Sequence, residues 1–236
     1  MVTFVAPQEL SASDRTPKRI KMSYEEYLQF TTDAQIVEWV EGEAIVYMPP
    51  IHLHQRIANF LNLLISFFVE RLDLGVVIIP PFEVKLWPGG PSREPDLIFI
   101  SASNKTSLTR ERFKGAPDLA IEIVSQGSAT EDRVRKFTEY EKAGVREYWL
   151  IDPRPRKQQA DFYVLGEDGF FHSQPIEDDG VYRSTVIPDF WFNVDWLFGE
   201  ELPPAQSALA EIMLTHPNVS PEEKTAYEIL LKAKRK

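Results

Sequence analysis

The chain has 236 residues, 43% of them hydrophobic and 26% charged, with a formal net charge of −10, which supplies apolar material for one substantial core in a length short for two. The absence of cysteine excludes disulfides and thiolate metal sites, and four scattered histidines are too few for a typical structural zinc, so any metal is expected to be oxygen-bound. The acidic balance argues against a tight, sequence-indifferent DNA binder, which gains affinity by neutralising phosphates with Lys and Arg, but leaves room for an enzyme that makes a few phosphate contacts.

Residues 1–21 carry Pro7, Pro17 and small polar residues without periodicity and read as a flexible N-terminal arm. They contain no apolar h-region, and the most hydrophobic stretch, Phe60 to Val69, is broken by Asn62 and Ser66 well short of the roughly 20 residues a membrane span needs. A cytoplasmic protein without a membrane partner is expected. The domain proper is expected over 22–199, opening with a capping box at Ser23-Tyr24-Glu25-Glu26 and a short helix to about Phe30, with Met22 and Tyr27 as a hydrophobic staple. Two strands, Ile36–Val40 and Ala44–Met48, flank the tight turn Glu41-Gly42, and Pro49-Pro50 stops the second. From Leu53 to Leu72 apolar residues recur every three or four places, the strongest helical period in the chain.

Beyond Gly75 strands are predicted at Val76–Ile79, Glu83–Trp87, Leu97–Ile100, Leu119–Val124 and Glu147–Ile151. Between the last two, Glu131–Ala143 reads as a helix with Val134 and Phe137 on its buried side and Gly144 as its stop. Strand, helix, strand at that spacing implies a parallel crossover. Hairpin-like strands follow at Asp161–Leu165, Phe170–His172, Tyr182–Val186 and Trp191–Val194, where Trp191, Phe192, Trp196 and Phe198 have the spacing of sheet core. After Pro203-Pro204, residues 200–236 read as a C-terminal helical appendage whose last helix starts at Ser220-Pro221-Glu222-Glu223. The fold class is α/β: a mixed β-sheet flanked by helices, with an N-terminal β-hairpin.

Two acids stand out from this frame. Asp96 follows Pro95 at the entrance of one apolar run, and Glu122 interrupts another, where an uncompensated carboxylate costs several kcal/mol. By strand alternation Glu122 shares a face with Ala120 and Val124. If the two strands are neighbours, both carboxylates and the backbone carbonyl of Ile123 converge on one hard cation, for which Mg²⁺ or Mn²⁺ suits the all-oxygen set. Lys136, with Asp132 four residues before it and Tyr140 four after, lies on one helical stripe. That stripe faces either the site, where the ammonium can stabilise phosphoryl charge, or water, where Asp132 and Lys136 form a surface pair. Three basic groups, Arg110 to Lys114, Arg133 to Lys136 and Arg154 to Lys157, read as solvated surface.

The set Pro95-Asp96, Glu122, Lys136 resembles the PD-(D/E)xK nuclease superfamily, and the wider pattern resembles its Uma-two-type restriction endonucleases. The wider pattern comprises Val40-Glu41-Gly42-Glu43 leading to His54, Arg93-Glu94-Pro95-Asp96, Glu122-Ile123-Val124-Ser125, Asp132 to Lys136 and Gly144 to Pro153. The resemblance spans about residues 22–198 and implies a restriction-endonuclease-like core that cuts DNA with a divalent cation. It also implies that Glu43 and His54 stand near the site, although a hairpin surface charge and a capping or partly buried histidine explain them equally. One position departs from the superfamily: the lysine usually found two places after the acid is Val124 here, and Lys136 on the next helix stands where a migrated lysine is expected. A homodimer is expected because cutting both strands of a duplex matches a symmetric pair of sites. The rival reading is a catalytically inactive nuclease-fold module that binds nucleic acid or a protein partner. A two-carboxylate glycosidase explains the acids but leaves Lys136 idle.

Overall fold

A computed structural model of the chain describes residues 16–31, 35–48 and 51–233. The first half runs β1 (Lys18–Lys21), α1 (Tyr24–Phe30), β2 (Val37–Val40), β3 (Glu43–Val46), α2 (His52–Arg71), β4 (Gly75–Ile78), β5 (Glu83–Lys85), β6 (Ser92–Arg93), β7 (Leu97–Ser101) and β8 (Arg112–Lys114). The second half runs β9 (Leu119–Ile123), a π-helical stretch (Glu131–Lys136), α3 (Phe137–Ala143), β10 (Glu147–Asp152), β11 (Gln159–Leu165), β12 (Phe171–Gln174), β13 (Val181–Arg183), β14 (Trp191–Asn193), α4 (Ala205–Thr215) and α5 (Pro221–Ala233).

The strands form two six-stranded sheets, ordered β12-β11-β10-β9-β7-β4 and β1-β3-β2-β6-β5-β8, and the ribbon β13-β14. In the first sheet β9 and β10 are parallel, joined by the π-helical stretch and α3 as the strand, helix, strand pattern predicts, while β7 runs antiparallel to β9. Period-two alternation divides its side chains between two cores. Leu97, Phe99, Leu119, Ile121 and Trp149 pack with Ile57, Leu61, Leu64 and Phe68 of α2, whereas Ile98, Ala120, Val124, Tyr148 and Leu150 pack on the other face with Tyr140 of α3. Burying each large apolar side chain contributes about 1.5–3 kcal/mol.

The second sheet is built on the β2–β3 hairpin. Its turn residues Glu41 and Gly42 have φ of 49° and 82°, the two positive angles a two-residue type I′ turn requires. Ser23 and Glu26 form the expected capping box on α1, and Tyr27 buries its ring against Val37 and Ala44. Trp39 pairs with Ser92 of β6, and the chain then crosses from the second sheet to the first through Glu94, Pro95 and Asp96. That crossing places Asp96 at the junction of the two sheets.

Four expectations need adjustment. Lys18–Lys21, counted with the N-terminal arm, is a strand paired with β3, while residues 1–15 of that arm and Pro49-Pro50 lie outside the described residues. Val134 is 58% exposed rather than buried, and the inward stripe of its segment is Asp132, Lys136 and Tyr140. The strand expected to reach Val186 ends at Arg183, because Thr185 and Val186 turn away to donate backbone N–H groups to the buried Glu147 carboxylate. In the C-terminal segment, α4 sends Ala208, Ile212 and Met213 into the core against α2, so this part of the segment is integral to the packing. Among the described residues no helix is long and apolar enough to cross a membrane.

Candidate active site

The register that pairs Leu97 with Ile121 puts Asp96 opposite Glu122, one step beyond the last paired residue of β7. The ladder stops there for a chemical reason. Val124 N–H donates to Ile151 of β10, so by alternation Ile123 directs its backbone groups towards β7, where the facing residue is Pro95. Proline has no N–H to offer the Ile123 carbonyl. Ile123 N–H donates instead to Asp96 Oδ2 at 2.8 Å, and His54 Nε2 lies 3.1 Å from the same oxygen. His54 comes from the first turn of α2, which reaches over the sheet end.

Lys136 settles the question of which way its stripe faces. Its ammonium is buried, 2.9 Å from Glu122 Oε1, 2.9 Å from Glu38 Oε1 and 3.5 Å from Asp132 Oδ1. Tyr140, one α-helical turn on, donates to Glu122 Oε1 at 2.6 Å. The segment Glu131–Lys136 is wound as a π-helix, whose i→i+5 hydrogen bonds make a wider turn, and such turns recur at functional sites. With Asp132, Lys136 and Tyr140 facing inward, Val134 falls on the opposite side of the helix.

Glu38, on β2, is the residue sequence reasoning missed. It is fully buried and accepts from Tyr47 OH at 2.7 Å and from Arg93 Nη1 at 2.8 Å. Arg93, also sealed from water, grips Glu139 with Nε and Nη2 at 2.6 and 2.8 Å and reaches Glu131 at 3.0 Å. The signal was present: Glu38 lies between Val37 and Trp39, an acid inside an apolar run just as Glu122 is. Glu43 is not brought to the cluster. It lies at the turn end of β3, about a third exposed, and pairs with Arg19 at 3.4 Å.

These residues enclose a small cleft of about 80 Å³, lined also by Glu94, Ser125 and Ser128. Its electrostatics are unbalanced. Burial, reinforced by Glu38, pushes Glu94 up to about 8, and burial pushes Asp132 up to about 6 against the pull of Lys136. Burial likewise raises Glu122 well above the carboxylate range, with Lys136 opposing and Asp132, Asp96 and Glu38 adding to the rise. Glu38 is the exception: burial disfavours its charge, but Lys136 and Arg93 overcome that and hold it at about 2. Lys136 stays charged because Glu122 and Glu38 outweigh the cost of burial, and Asp96 raises His54 in the same way. Three buried polar atoms of the cleft, His54 Nδ1, Glu94 Oε2 and Asp132 Oδ1, have no hydrogen-bond partner among the described residues. The cleft therefore gathers more acidic groups, and more unused polar capacity, than its own cations satisfy, and burial favours the protonated form of Glu94, Glu122 and Asp132.

Among the described residues no three His, Asp or Glu side chains are grouped as a ready-made metal cage. The carboxylates of Asp96 and Glu122 with the Ile123 carbonyl are the oxygen donors that could serve a cation which keeps much of its water.

No curated protein matches the sequence. The crystal structure of a putative nuclease from Anabaena variabilis is similar in fold, with a TM-score of 0.60 and 20% identity over 74% of this chain and 96% of that one. A family model described as "Uma2: Putative restriction endonuclease" matches residues 24–195. The chain, with its mixed sheets and flanking helices, belongs to the Uma2 family of putative restriction endonucleases.

Proposed function

We propose that the protein is a divalent-metal-dependent DNA endonuclease of the PD-(D/E)xK type, hydrolysing phosphodiester bonds at Asp96, Glu122 and Lys136. The observation that carries this reading is the buried Lys136 ammonium 2.9 Å from Glu122, delivered by the helix after β9 in place of the lysine that Val124 replaces. The donor set fits a hard cation: two carboxylates set opposite each other, a carbonyl denied its ladder partner by Pro95, and a cleft in which acidic side chains outnumber basic ones. Asp96, Glu122 and Ile123 would hold Mg²⁺ or Mn²⁺, which when bound supplies Lewis-acid stabilisation of the phosphoryl oxygens and an activated water.

The remaining chemistry belongs to the chain. The Ile123 N–H and His54 fix the Asp96 carboxylate, and Tyr140 fixes Glu122. Lys136 places a permanent positive charge, shielded from water, beside the position where negative charge develops on the attacked phosphate. His54 also lines the cleft, where its buried Nδ1 has no partner among the described residues. Glu38 positions Lys136, and Arg93 positions Glu38. A symmetric pair of copies would cut both strands of a duplex.

The test is cleavage of plasmid, linear duplex and single-stranded DNA in Mg²⁺ or Mn²⁺ by the parent and by Asp96→Ala, Glu122→Ala and Lys136→Ala. Metal-dependent cutting lost in all three variants is expected. Cutting that survives Asp96→Ala and Glu122→Ala refutes the assignment. One observation favours a second reading, a module that binds DNA without cutting: Lys136 is already committed to two carboxylates. DNA binding without cleavage in either metal is its outcome.

A further inference from the structure

A second cavity, of about 230 Å³, adjoins the cleft and shares Ile36 and Asp96 with it as wall. Pro80 and Pro81 bound it on one side, and the opposite wall is a face of α2 that presents Gln55, Asn59 and Asn62. Steps of four and three residues put those amides in a row on one side of the helix. Ser66, four residues further along the same row, donates to Asn62 Oδ1 at 3.1 Å and so fixes that amide.

The composition of this row calls for a cause. Asparagine is among the weaker helix formers, and a helix face that only meets water is more often charged. Two asparagines sit instead in the middle of the 20-residue helix on which the main core is built. Among the described residues neither Gln55 nor Asn59 hydrogen-bonds to another side chain, and both are exposed. An amide presents a donor and an acceptor side by side. A phosphate only accepts, so a row of uncharged amides matches phosphates poorly, whereas the adenine edge, with N6 donating and N7 accepting, matches Asn or Gln in a bidentate pair. The cavity is smaller than the roughly 300 Å³ at which pockets for drug-sized ligands begin, which suits part of one nucleotide.

We propose that Gln55 and Asn59 read the edge of an adenine in the DNA adjoining the phosphate at Asp96, which makes the nuclease sequence-selective. The inference rests on the DNA substrate proposed above. It places the source of sequence preference on α2 and separates it from the acids and lysine that act on the phosphate.

The experiment is selection from a library of duplexes with randomised sequence, bound in Ca²⁺ by the parent, Gln55→Ala and Asn59→Ala proteins, with the retained DNA sequenced. Both side chains are exposed and alanine favours helix, so the variants are expected to fold. The parent should enrich adenine at a fixed place in the retained sequences by roughly tenfold or more, the discrimination of one good bidentate pair, and each variant should lose most of it. No enriched adenine in the parent, no retention of DNA, or the same enrichment in both variants overturns the proposal. The same library in Mg²⁺ separates the two claims: adenine selection without cut ends sinks the nuclease and keeps the reading of bases, and cut ends without adenine preference do the reverse.

Discussion

An ammonium sealed from water with carboxylates 2.9 Å away on two sides cannot be removed without stranding charge, so Lys136→Met should cost about 3–5 kcal/mol of stability in urea unfolding. In a Glu38→Gln background the same change should cost clearly less, and strict additivity would show that the pair is not coupled. Glu94 gives a pH signature. Its folded pKa of about 8 lies above the ordinary carboxylate value, so between the two the folded protein holds a proton that the unfolded chain has lost. Stability then falls as pH rises from about 4.5 to about 8 and levels beyond, and Glu94→Gln should remove that slope, gaining up to about 3 kcal/mol by pH 7. Equal denaturation midpoints for parent and variant at pH 5 and pH 8 would contradict this. Asp96 and Glu122 stood out in the sequence because acids flanked by apolar residues demand a partner, whereas the direction Lys136 faces did not follow from its stripe. Glu38 makes the same demand, yet Glu41 and Glu43 around it give the hairpin the look of a charged surface. Which of these acids is buried depends on β6 docking beside β2, a contact between residues more than fifty positions apart.

At the scale of elements, the ion pairs of Lys136 with Glu38 and Glu122 decide which side of the helix meets the site. Read by hydrophobicity, Val134 belongs inside with Phe137, but the buried stripe is Asp132, Lys136 and Tyr140, and a 3.6-residue period then puts Val134 on the far side. Val134→Lys should therefore change stability by no more than about 0.5 kcal/mol, as at ordinary surface positions. A loss of several kcal/mol in thermal or urea unfolding would mean the side chain is buried. Gly144, which ends α3, has φ of 89°. Alanine there should destabilise the protein by about 1 kcal/mol or more, since an L side chain is strained at that angle. The glycine stop was readable from the sequence and the inward turn of Asp132 and Lys136 was not, because the partners that compensate the buried lysine, Glu38 and Glu122, come from other elements.

For the whole molecule, α2 is the shared wall: one side carries the core, its first turn brings His54 to Asp96, and α4 packs along it. Ile212→Ala in α4 should cost about 2–5 kcal/mol, like other buried aliphatic truncations. A negligible loss would show that α4 is an attachment to the core. The strands and long helix were legible from their periods, but the division into two sheets was not, because it depends on β2 pairing with β6 and β5 with β8 across long stretches of chain. That division brings the Glu38 hairpin against the Asp96–Glu122 ledge and closes the cleft. The most direct test of the proposed metal site is to locate Mn²⁺ by anomalous diffraction in crystals of the parent and of Asp96→Asn. One ion is expected between Asp96 and Glu122, within about 2.0–2.3 Å of their oxygens and of the Ile123 carbonyl, and absent from the variant. An ion bound elsewhere, or one that persists unchanged in Asp96→Asn, would contradict the proposed site.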